Sequence, residues 1–349
     1  MTPERLDALA AKYKNLKIAV VGDYCLDRYL EINPDRTETS IETGLPVYNV
    51  ERVRAQAGAA GTILNNLVAL GVGSIYPVGF RGNDGEGYEL EKALRAMTGV
   101  DLSHFVLSEE RRTFTYAKPL MMLEGKPPRE LNRLDTKNWT ETPKTLSLEF
   151  SNALKKVLVT CDAVILMDQV DCEDTGVVTA EVLDTLRSHS AGKLVIADSR
   201  RGLGHYPPCL FKMNVSELGR MFNETETLSD AAVRYLAIEL ARKNAHPTVI
   251  TMAHKGLLAA EPSSTVSSAQ ALPPRGPIDI VGAGDSVTAN LAASLAAGAD
   301  LGEALTLSAL ASSVVIHQLG TAGAASIAQM RLLLSDNNTP PGATQCIPQ

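Results

Sequence analysis

Short runs of aliphatic and β-branched residues alternate along the chain with amphipathic stretches of helical period. Such runs occur at residues 17–21, 163–167, 193–197 and 248–251. The alternation is typical of a parallel sheet with helices on both faces. Ligands of open α/β sheets bind in the crevice at the carboxyl ends of the strands. The sequence therefore predicts an α/β fold whose crevice lies beside the polar residues that end these runs, namely Asp23, Asp168, Asp198 and Thr251.

Residues 29–57 and 113–134 interrupt this alternation. Their polar and apolar residues alternate with a period of two, and they show no helical periodicity. We predict that they form antiparallel strands that stand off the main sheet as a lid. The alternative is a pair of long surface hairpins without a functional role, and the pattern alone leaves both open.

The composition indicates a globular protein. Of 349 residues, 45% are hydrophobic and 21% are charged, which excludes a coiled coil, a collagen-like chain and disorder throughout. Residues 1–334 are predicted to form a single domain. Residues 335–349 are rich in Pro, Asn and Gly and have no apolar periodicity, which predicts a disordered tail.

Several classes of partner are not expected. The net charge is −7 and no cluster of Lys and Arg is present, whereas nucleic acid binding draws its affinity from clustered positive charge. No apolar run approaches the roughly 20 residues of a membrane span, and the N-terminus lacks the apolar core of a signal peptide. The five cysteines are scattered and form no CxxC motif, which favours a reducing compartment. We therefore expect a cytoplasmic protein with no nucleic acid or membrane partner.

The most informative stretch is residues 277–287, which lead into a run rich in Ala and Leu. Gly282, Ala283 and Gly284 let the backbone approach a ligand closely, and the first N–H groups of the following helix have no partner inside it. With the helix dipole they form an anion hole that could hold a phosphate. Asp285, in the first turn, could accept a proton from an attacking hydroxyl. The alternative is a helix N-terminus that Asp285 only stabilises.

Other motifs for phosphate binding or hydrolysis are missing from the sequence. There is no GxxxxGK[ST] motif of a P-loop, no strand-linked GxGxxG motif of a dinucleotide site and no GxSxG motif of a hydrolase. The six histidines never stand at metal-ligand spacing. A phosphate in the predicted hole would therefore be held by backbone donors without a lysine.

The motifs resemble those of the PfkB, or ribokinase-like, carbohydrate kinases. The resemblance runs from about residue 18 to residue 334 and rests on residues 21–28, the NxxE motif of Asn214 and Glu217, and the GAGD motif at 282–285. It implies a three-layer α/β/α fold with a mostly parallel central sheet and a small β-strand lid. Residues 1–334 would then be one ribokinase-like kinase domain.

Within this family the chain is most similar to the D-glycero-D-manno-heptose-7-phosphate kinase domain of ADP-heptose synthesis. The similarity is carried by residues 22–29, 36–47, 132–135 and 317–322. We expect the chain to lack the nucleotidyltransferase domain of the bifunctional heptose enzyme.

The resemblance implies transfer of the γ-phosphate of ATP to a hydroxyl of a sugar or sugar phosphate, of heptose-7-phosphate type. Asp285 would be the base, a role for which a carboxylate of ordinary pKa suffices, and Gly282, Ala283 and Gly284 would supply the anion hole. Asn214 and Glu217 would help to place Mg²⁺ through water near the phosphates. An alternative role for these two residues is a capping box at the start of a helix.

On the nucleotide side, the resemblance assigns binding roles to five further residues. Asp279 matches the acidic residue that precedes the anion hole. The segment TMAHKG resembles the family's TxGxKG turn, although Ala253 stands where glycine is usual. The adenine pocket would lie near the turn after residues 305–318. The residues carried over are Asp279, Thr251, Lys255, Gly256 and Gly320.

On the sugar side, Asp27 matches a carboxylate that binds substrate hydroxyls, and Asp23 lies close to it in sequence. The alternative is that both only cap a turn after the first strand. Asp198 and Arg200 stand in a segment where the heptose branch has a DPK-like turn, and Arg200 could meet a substrate phosphate.

The chain departs from the family at residues 58–62. The family has two glycines followed by an asparagine that contacts the sugar, whereas this chain has Gly58, Ala59 and Thr62. Thr62 offers one hydroxyl where an amide offers both a donor and an acceptor. Two alternatives therefore remain beside the sugar kinase, namely a kinase of another polyol or of a nucleoside, and a non-catalytic ligand-binding member.

The lid also predicts a homodimer. A small exposed sheet is a poor structure on its own and gains from pairing its open face or edges. We expect the lids of two subunits to pack together, as the resemblance also implies.

Overall fold

The structure is a computed structural model that describes residues 1–337. The strands of the described chain are β1 (Lys17–Gly22), β2 (Tyr24–Thr39), β3 (Pro46–Ala59), β4 (Ser74–Gly82), β5 (Phe105–Ser108), β6 (Phe114–Met121), β7 (Arg129–Glu130), β8 (Leu134–Thr136), β9 (Ala163–Asp168), β10 (Leu194–Ser199), β11 (Leu210–Asn214), β12 (Thr248–Thr251), β13 (Leu257–Ala260) and β14 (Val266–Ala269).

The helices are α1 (Pro3–Tyr13), α2 (Ala60–Leu70), α3 (Gly85–Arg95), α4 (Lys144–Thr160), α5 (Ala180–His189), α6 (Val215–Met221), α7 (Asp230–Asn244), α8 (Ala283–Ala296), α9 (Leu301–Val315) and α10 (Ile327–Asn337). Local signals set several of their ends. Thr2 caps α1 with its side chain, Gly71 ends α2 in the left-handed conformation, and Asp300 with Glu303 forms a capping box at α9.

The main sheet has the strand order β14-β13-β12-β11-β10-β9-β1-β4-β5. From β12 to β5 every neighbouring pair is parallel, and only β13 and β14 at one edge are antiparallel. The predicted mostly parallel sheet is therefore confirmed, and the four strand-like runs of the sequence are β1, β9, β10 and β12.

Helices cover both faces of this sheet. In β1, Ile18 and Val20 point into a core formed with α1, α2, α3, α8, α9 and α10, whereas Ala19 and Val21 point into a core formed with α4, α5, α6 and α7. Because successive residues of a strand face opposite sides, β1 must be apolar throughout. The result is the expected three-layer α/β/α arrangement.

A second sheet forms the predicted lid, with the order β3-β2-β6-β7 and with β8 paired to β6. β2 and β3 are antiparallel, as predicted, but β2 and β6 are parallel. This differs from the expected all-antiparallel lid because the chain crosses the main sheet through β4, α3 and β5 before it re-enters the lid. The lid is also longer than expected: it starts at Tyr24, directly after β1, and ends at Thr136.

The chain end differs in part from the prediction. Helix α10 extends to Asn337, so the first three residues of the expected disordered tail are helical. The buried side chains of Met330, Leu333 and Leu334 anchor this helix to the core, which accounts for its length. The rest of the predicted tail lies outside the described residues. No helix in the described part of the chain has the length and hydropathy of a membrane span.

Gly22 is required where β1 meets β9. A Cβ at this position would overlap the carbonyl oxygen of Met167, which is backbone and cannot turn aside. Gly22→Ala should therefore lower the free energy of unfolding by about 1 to 3 kcal/mol, as measured by urea denaturation. The matched control is Gly85→Ala in the first turn of α3, where a Cβ would meet nothing. Equal unfolding midpoints for the two variants would contradict this close packing.

Candidate active site

The candidate site lies where the carboxyl end of the main sheet meets the base of the lid and the first turn of α8. Asp285, at the start of α8, is half-buried and stands close enough to Asp27 of the lid for the two carboxylates to interact. The residues predicted for the base and for sugar binding thus face one another, although 257 positions separate them in the sequence.

The N-terminus of α8 has free backbone donors. Gly282 caps the helix with a φ of +81°, and no side chain takes the capping position. Within residues 1–337, the amides of Gly282, Gly284 and Asp285 have no acceptor, as the predicted anion hole requires. The amide of Ala283 differs, because it donates to the carbonyl oxygen of Ile280 at 3.2 Å and closes a turn. The available donors are therefore those of Gly282, Gly284 and Asp285.

Gly282 is enclosed by two other elements. A Cβ there would lie 3.4 Å from Thr62 Cγ2 and 3.4 Å from the Cα of Ala322. Its positive φ is also a conformation that side chains rarely adopt. Gly282 therefore packs between α2 and the turn that follows α9, and Thr62 is placed against the anion hole.

The pKa of Asp285 is raised from 3.8 to about 7. The largest cause is burial, which penalises the charged carboxylate. Lys212 opposes the shift, whereas Asp198 and Asp27 add to it. The pKa of Asp285 therefore lies well above the ordinary value that would suffice for a base, because tertiary structure buries the carboxyl group and brings other carboxylates near it.

Lys212 is a site residue that the sequence analysis missed. It lies in β11 with its side chain buried, and its Nζ is 2.7 Å from Asp198 Oδ2. The same Nζ is 3.1 Å from the place of a Cβ on Gly284. An available signal was the single charge in the otherwise apolar run 209–213, two residues before Asn214.

The structure gives Asp198 a different role from sugar binding. Its Oδ2 accepts hydrogen bonds from Lys212 Nζ and from Thr288 Oγ1, the latter at 3.0 Å. Both partners are buried. Asp198 therefore joins β10 to β11 and α8 beneath the anion hole, because a buried carboxylate must be paired.

Asp23 also differs from its predicted role. Its two carboxylate oxygens accept the backbone N–H groups of Gln169 and Val177, each at 2.8 Å. Gly176 lies against it so closely that a Cβ there would overlap Oδ1. Burial and the neighbouring Asp168 raise the pKa of Asp23 to about 7. Asp23 therefore holds the loop after β9 over the end of β1, rather than capping a turn after β1 as in the alternative given above.

Asp27 remains placed for ligand binding. It is buried in β2, and its Oδ1 is 3.3 Å from Lys118 Nζ on β6. Burial raises its pKa. Gly58 lies beneath it, since a Cβ there would be 2.6 Å from Asp27 Oδ2 and 2.7 Å from Cys25 Sγ. The glycine at 58 therefore makes room for the Asp27 carboxylate.

Ala59 adopts a strained backbone conformation. It occupies the N-cap of α2 with a φ of +53°, where its Cβ is unfavourable. Glycine, which the family has here, would carry no such strain. Ala59 thus imposes an energetic cost on this backbone conformation that glycine would avoid.

Asp279 ties the anion hole to the turn after α9. Its Oδ1 accepts the Val281 N–H at 3.0 Å, and its Oδ2 accepts the Gly320 N–H at 3.1 Å. Asp279 and Gly320, both predicted for nucleotide binding, are therefore brought together, but the Gly320 amide is already engaged. Thr321 in the same turn donates to Gln56 Oε1 of the lid at 2.9 Å.

The TMAHKG segment forms the turn between β12 and β13. Thr251 pairs with Asn214 across the β11–β12 ladder, so two predicted nucleotide-side residues are neighbours. Ala253, at the position where the family has glycine, has a φ of +51°. Gly256 is buried with a φ of +92°, and Lys255 Nζ is engaged with Asp230 at 2.6 Å.

Asn214 and Glu217 form the capping box that was the alternative to a magnesium site. Asn214 Oδ1 accepts the Glu217 N–H at 2.9 Å, and Glu217 Oε2 accepts the Asn214 N–H at 2.8 Å. Burial raises the pKa of Glu217. No cluster of three or more His, Cys, Asp or Glu suited to a metal occurs in the described chain. One carboxylate oxygen of Glu217 stays available, which fits a magnesium ion held mainly through water and phosphate oxygens.

A cavity lies beside the lid, and cationic side chains lie in its wall or next to it. Tyr116, Lys137 and Trp139 line it, together with Asp23 and the loop after β9. Lys137 Nζ pairs with Asp171, and Arg200 is 3.9 Å from the same carboxylate. Arg133 lies over the ring of Tyr116 at 4.9 Å. Arg200 does not line the cavity, but it is half-exposed next to Asp171, which does, and it shares that carboxylate with Lys137.

Comparison with known proteins identifies the family. Residues 15–328 match the model of the pfkB family carbohydrate kinases. The chain belongs to the PfkB family. The resemblance proposed from the sequence is therefore confirmed, and residues 15–328 form a domain of the pfkB family of carbohydrate kinases.

Curated relatives of the chain carry the name bifunctional protein HldE. That of Bradyrhizobium sp. (strain ORS 278) is 29% identical over 337 residues, covering 94% of this chain and 65% of the relative. That of Caulobacter vibrioides is 30% identical, covering 90% of this chain and 63% of the relative. The chain thus spans less than two thirds of the length of these PfkB relatives.

Solved structures confirm the ribokinase-like fold. Arabidopsis thaliana ribokinase in complex with ribose and ATP matches with a TM-score of 0.67 at 19% identity, covering 92% of this chain and 98% of that chain. Escherichia coli phosphofructokinase-2 in complex with substrates and products matches with a TM-score of 0.69 at 17% identity, covering 92% and 99%.

Replacing Asp285 with asparagine should stabilise the folded kinase at alkaline pH. Because the folded-state pKa of about 7 lies above the ordinary 3.8, ionisation of Asp285 opposes folding increasingly from about pH 4 to pH 7 and by a constant amount above. Asp285→Asn should raise the free energy of unfolding by roughly 1 to 3 kcal/mol at pH 8 and by much less at pH 4. Urea denaturation at both pH values measures this. An equal change in the free energy of unfolding at pH 4 and pH 8 would show that the pKa of Asp285 is not raised.

Proposed function

We propose that this carbohydrate kinase transfers the γ-phosphate of ATP to a hydroxyl of a sugar phosphate, of heptose-7-phosphate type. The observation that carries the proposal is Asp285, a half-buried carboxylate with a pKa of about 7, beside the unpaired amides of the α8 N-terminus. A non-catalytic ligand-binding protein would gain nothing from a destabilising carboxylate at that place. The proposed unit is the single domain of residues 1–334 with its lid.

The proposed reaction is a direct phosphoryl transfer. The substrate hydroxyl oxygen bonds to the γ-phosphorus while the bond from that phosphorus to the β–γ bridging oxygen breaks, and ADP leaves. The hydroxyl proton passes to Asp285. Because the transition state is loose, the proton is needed late and most catalysis comes from positioning and charge stabilisation. The amides of Gly282, Gly284 and Asp285 face the phosphoryl oxygens and stabilise their charge.

The nucleotide would lie along the α8 N-terminus toward Asn214 and Glu217. A bound Mg²⁺ would neutralise phosphate charge there. The free oxygen of Glu217 would orient its water ligands. Asp279 would fix the shape of the anion hole through its hydrogen bonds to Val281 and Gly320.

The sugar would lie between Asp285 and the lid. Asp27 would accept hydrogen bonds from substrate hydroxyls; burial raises its pKa, and Lys118 opposes that shift by favouring the charged form. Lys137 lines the adjoining cavity, Arg133 and Arg200 lie next to residues that line it, and the three would hold a phosphate at the far end of the sugar. Thr62 and Ala59 in place of the family's asparagine and glycine favour one further candidate, a kinase of another polyol or of a nucleoside.

An ADP-release assay against a panel of sugar phosphates, free polyols and nucleosides tests both candidates. Asp285→Asn should lower kcat by about 10²- to 10⁴-fold, because a general base contributes this much, and leave nucleotide affinity largely intact. In the wild type, kcat/KM should fall tenfold per pH unit below about pH 7 and be level above, since the base must be ionised.

Asp184→Asn is the matched control, because Asp184 is an exposed carboxylate of α5 paired only with Arg187. It should change neither kcat nor the pH profile. Full activity of Asp285→Asn would rule out Asp285 as the base. Turnover with nucleosides but not with sugar phosphates would favour the second candidate.

We also propose a homodimer through the lid, in the cytoplasm. The lid carries exposed apolar side chains on β3 and on the turn before it, namely Leu45, Val47, Tyr48, Val50 and Val53. Covering such a patch is favourable at roughly 25 cal/mol per Å² of apolar area removed from water. The described cysteines are all free thiols, which suits a reducing compartment.

Light scattering after size exclusion at micromolar concentration tests the dimer. The wild type should have twice the mass of one chain, and Val50→Asp with Val53→Asp should shift it to the monomer, because two buried charges would be unpaired. Tyr235→Asp on α7, at a side chain more exposed than either valine and far along the chain from the lid, is the control. A wild-type monomer would contradict the proposal.

A further inference from the structure

Trp139 places an exposed aromatic ring at the cavity beside the lid. It is the single tryptophan of the chain, it lines the cavity, and 68% of its surface is exposed. Removing such apolar surface from water is favourable, and aromatic side chains commonly line the pockets in which small molecules bind. The ring is therefore a candidate contact for a ligand and not part of the core.

The backbone on both sides of Trp139 is held by one short segment of the chain. Before it, Asn138 Oδ1 accepts the Arg112 N–H at 3.1 Å, and Asn138 Nδ2 donates to the Arg112 carbonyl oxygen at 2.8 Å. After it, Arg111 Nη1 donates to the carbonyl oxygen of Thr140 at 2.9 Å. The exposed ring thus stands on a fixed backbone, and such preorganisation lowers the entropic cost of binding a ligand.

Arg111 joins this segment to a second wall of the cavity. Its Nη2 donates at 2.7 Å to the carbonyl oxygen of Thr175, which lies in the loop after β9 and lines the cavity as Trp139 does. Arg111 is 5% exposed and forms no ion pair within residues 1–337, so neutral oxygens alone must offset the cost of burying its charge. This costly contact fixes the segment of Trp139 relative to the loop after β9.

The cavity offers three kinds of contact to a ligand. Asp27 supplies a carboxylate, because it projects from the same face of β2 as Cys25, which lines the cavity. Lys137 supplies a cation in the cavity wall, and its Nζ is 5.9 Å from the centre of the Trp139 ring, within reach of a cation–π contact. The third contact is the face of the indole. A ligand here would thus meet an acceptor for hydroxyls, a cation for phosphate and an apolar face.

A sugar phosphate in ring form matches these three contacts. In a closed sugar ring several C–H groups lie on one face, while the hydroxyls project from the rim. The face of an aromatic ring carries partial negative charge and attracts such weakly positive C–H groups. An open-chain polyol has no continuous C–H face, and ordering it against the indole would cost the freedom of its bond rotations.

We propose that Trp139 is a specificity-determining residue whose indole packs against the C–H face of a ring-form sugar phosphate, with the sugar hydroxyls toward Asp27. This inference rests on the proposed kinase function and narrows its substrate class from sugars and other polyols to ring-form sugar phosphates. The indole takes no part in phosphoryl transfer, so it acts on sugar binding and not on the chemical step.

Fluorescence of the full wild-type chain tests this contact without turnover. Because the chain has a single tryptophan, the indole emission reports on Trp139 alone. D-glycero-D-manno-heptose 7-phosphate, added without nucleotide, should shift the emission to shorter wavelength and saturate, because the sugar displaces water from the indole. The alditol phosphate made by reducing the same sugar keeps its hydroxyls and phosphate but cannot close a ring. It should bind about tenfold more weakly and leave the emission unshifted.

Variants at position 139 test the specificity. In calorimetric titrations Trp139→Ala should weaken binding of the sugar phosphate about 5- to 50-fold, the worth of an aromatic contact with its buried area, and leave binding of the alditol phosphate within about twofold. In the ADP-release assay its KM for the sugar should rise while kcat stays unchanged. Trp139→Tyr keeps an aromatic face and should restore most of the lost affinity. Tyr235→Ala, at a similarly exposed aromatic residue of α7, is the control and should match the wild type.

The outcomes separate this inference from the proposed function. An emission shift with the sugar phosphate but not with its alditol, in a protein that transfers no phosphate, would support the contact and reject the kinase reaction. Turnover of the sugar phosphate without an emission shift, or Trp139→Ala that binds both ligands like the wild type, would overturn the role of Trp139 alone. An equal shift with the alditol phosphate, or a shift with adenosine instead, would overturn the choice of a ring-form sugar phosphate. Neither binding nor turnover of any sugar phosphate would overturn both.

Discussion

The unpaired amides at the start of α8 are the constraint on which the site depends. A helix end that is half enclosed by protein cannot leave its first N–H groups without acceptors unless water or a ligand supplies them. No side chain caps α8, and Gly282 takes a left-handed conformation pressed between Thr62 and Ala322. A side chain at 282 would meet α2 and the turn after α9. The left-handed backbone, the glycine and the unpaired amides therefore depend on one another. Asp285 is buried beside them and lies near Asp27 and Asp198, which raises its pKa.

The sequence indicated those parts of the structure whose signal is local. Strand β1 and its parallel neighbours follow from short apolar runs, the lid from residues of period two, and the start of α8 from small residues before a helical run. The roles of Asp23 and Asp198 could not be predicted in this way. Asp23 is held by the amides of Gln169 and Val177, and Asp198 by Lys212 and Thr288. These partners are distant in sequence, and no periodicity reveals which carboxylate they will meet.

The lid is joined to the rest of the candidate site at two places. β2 continues directly from β1, which fixes the base of the lid to the centre of the main sheet. Gln56, which is paired with Asp27 across the β2–β3 ladder, also accepts a hydrogen bond from Thr321. Thr321 belongs to the turn that Asp279 holds against the anion hole. A displacement of the lid strand that carries the proposed sugar contact must therefore strain or break a contact of the turn beside the proposed phosphate site.

The distribution of counter-charges explains why Asp285, among the carboxylates of the site, suits the role of base. Asp27 has Lys118, Asp168 has Arg201 and Asp198 has Lys212 as an ion-pair partner. Asp285 has no ion pair within residues 1–337, and Lys212 favours its charged form only through space. Each of these three carboxylates is already engaged with a cation, whereas Asp285 is free to face a substrate. Burial raises the pKa of Asp285 to about 7, so this carboxylate can take a proton from a hydroxyl near neutral pH.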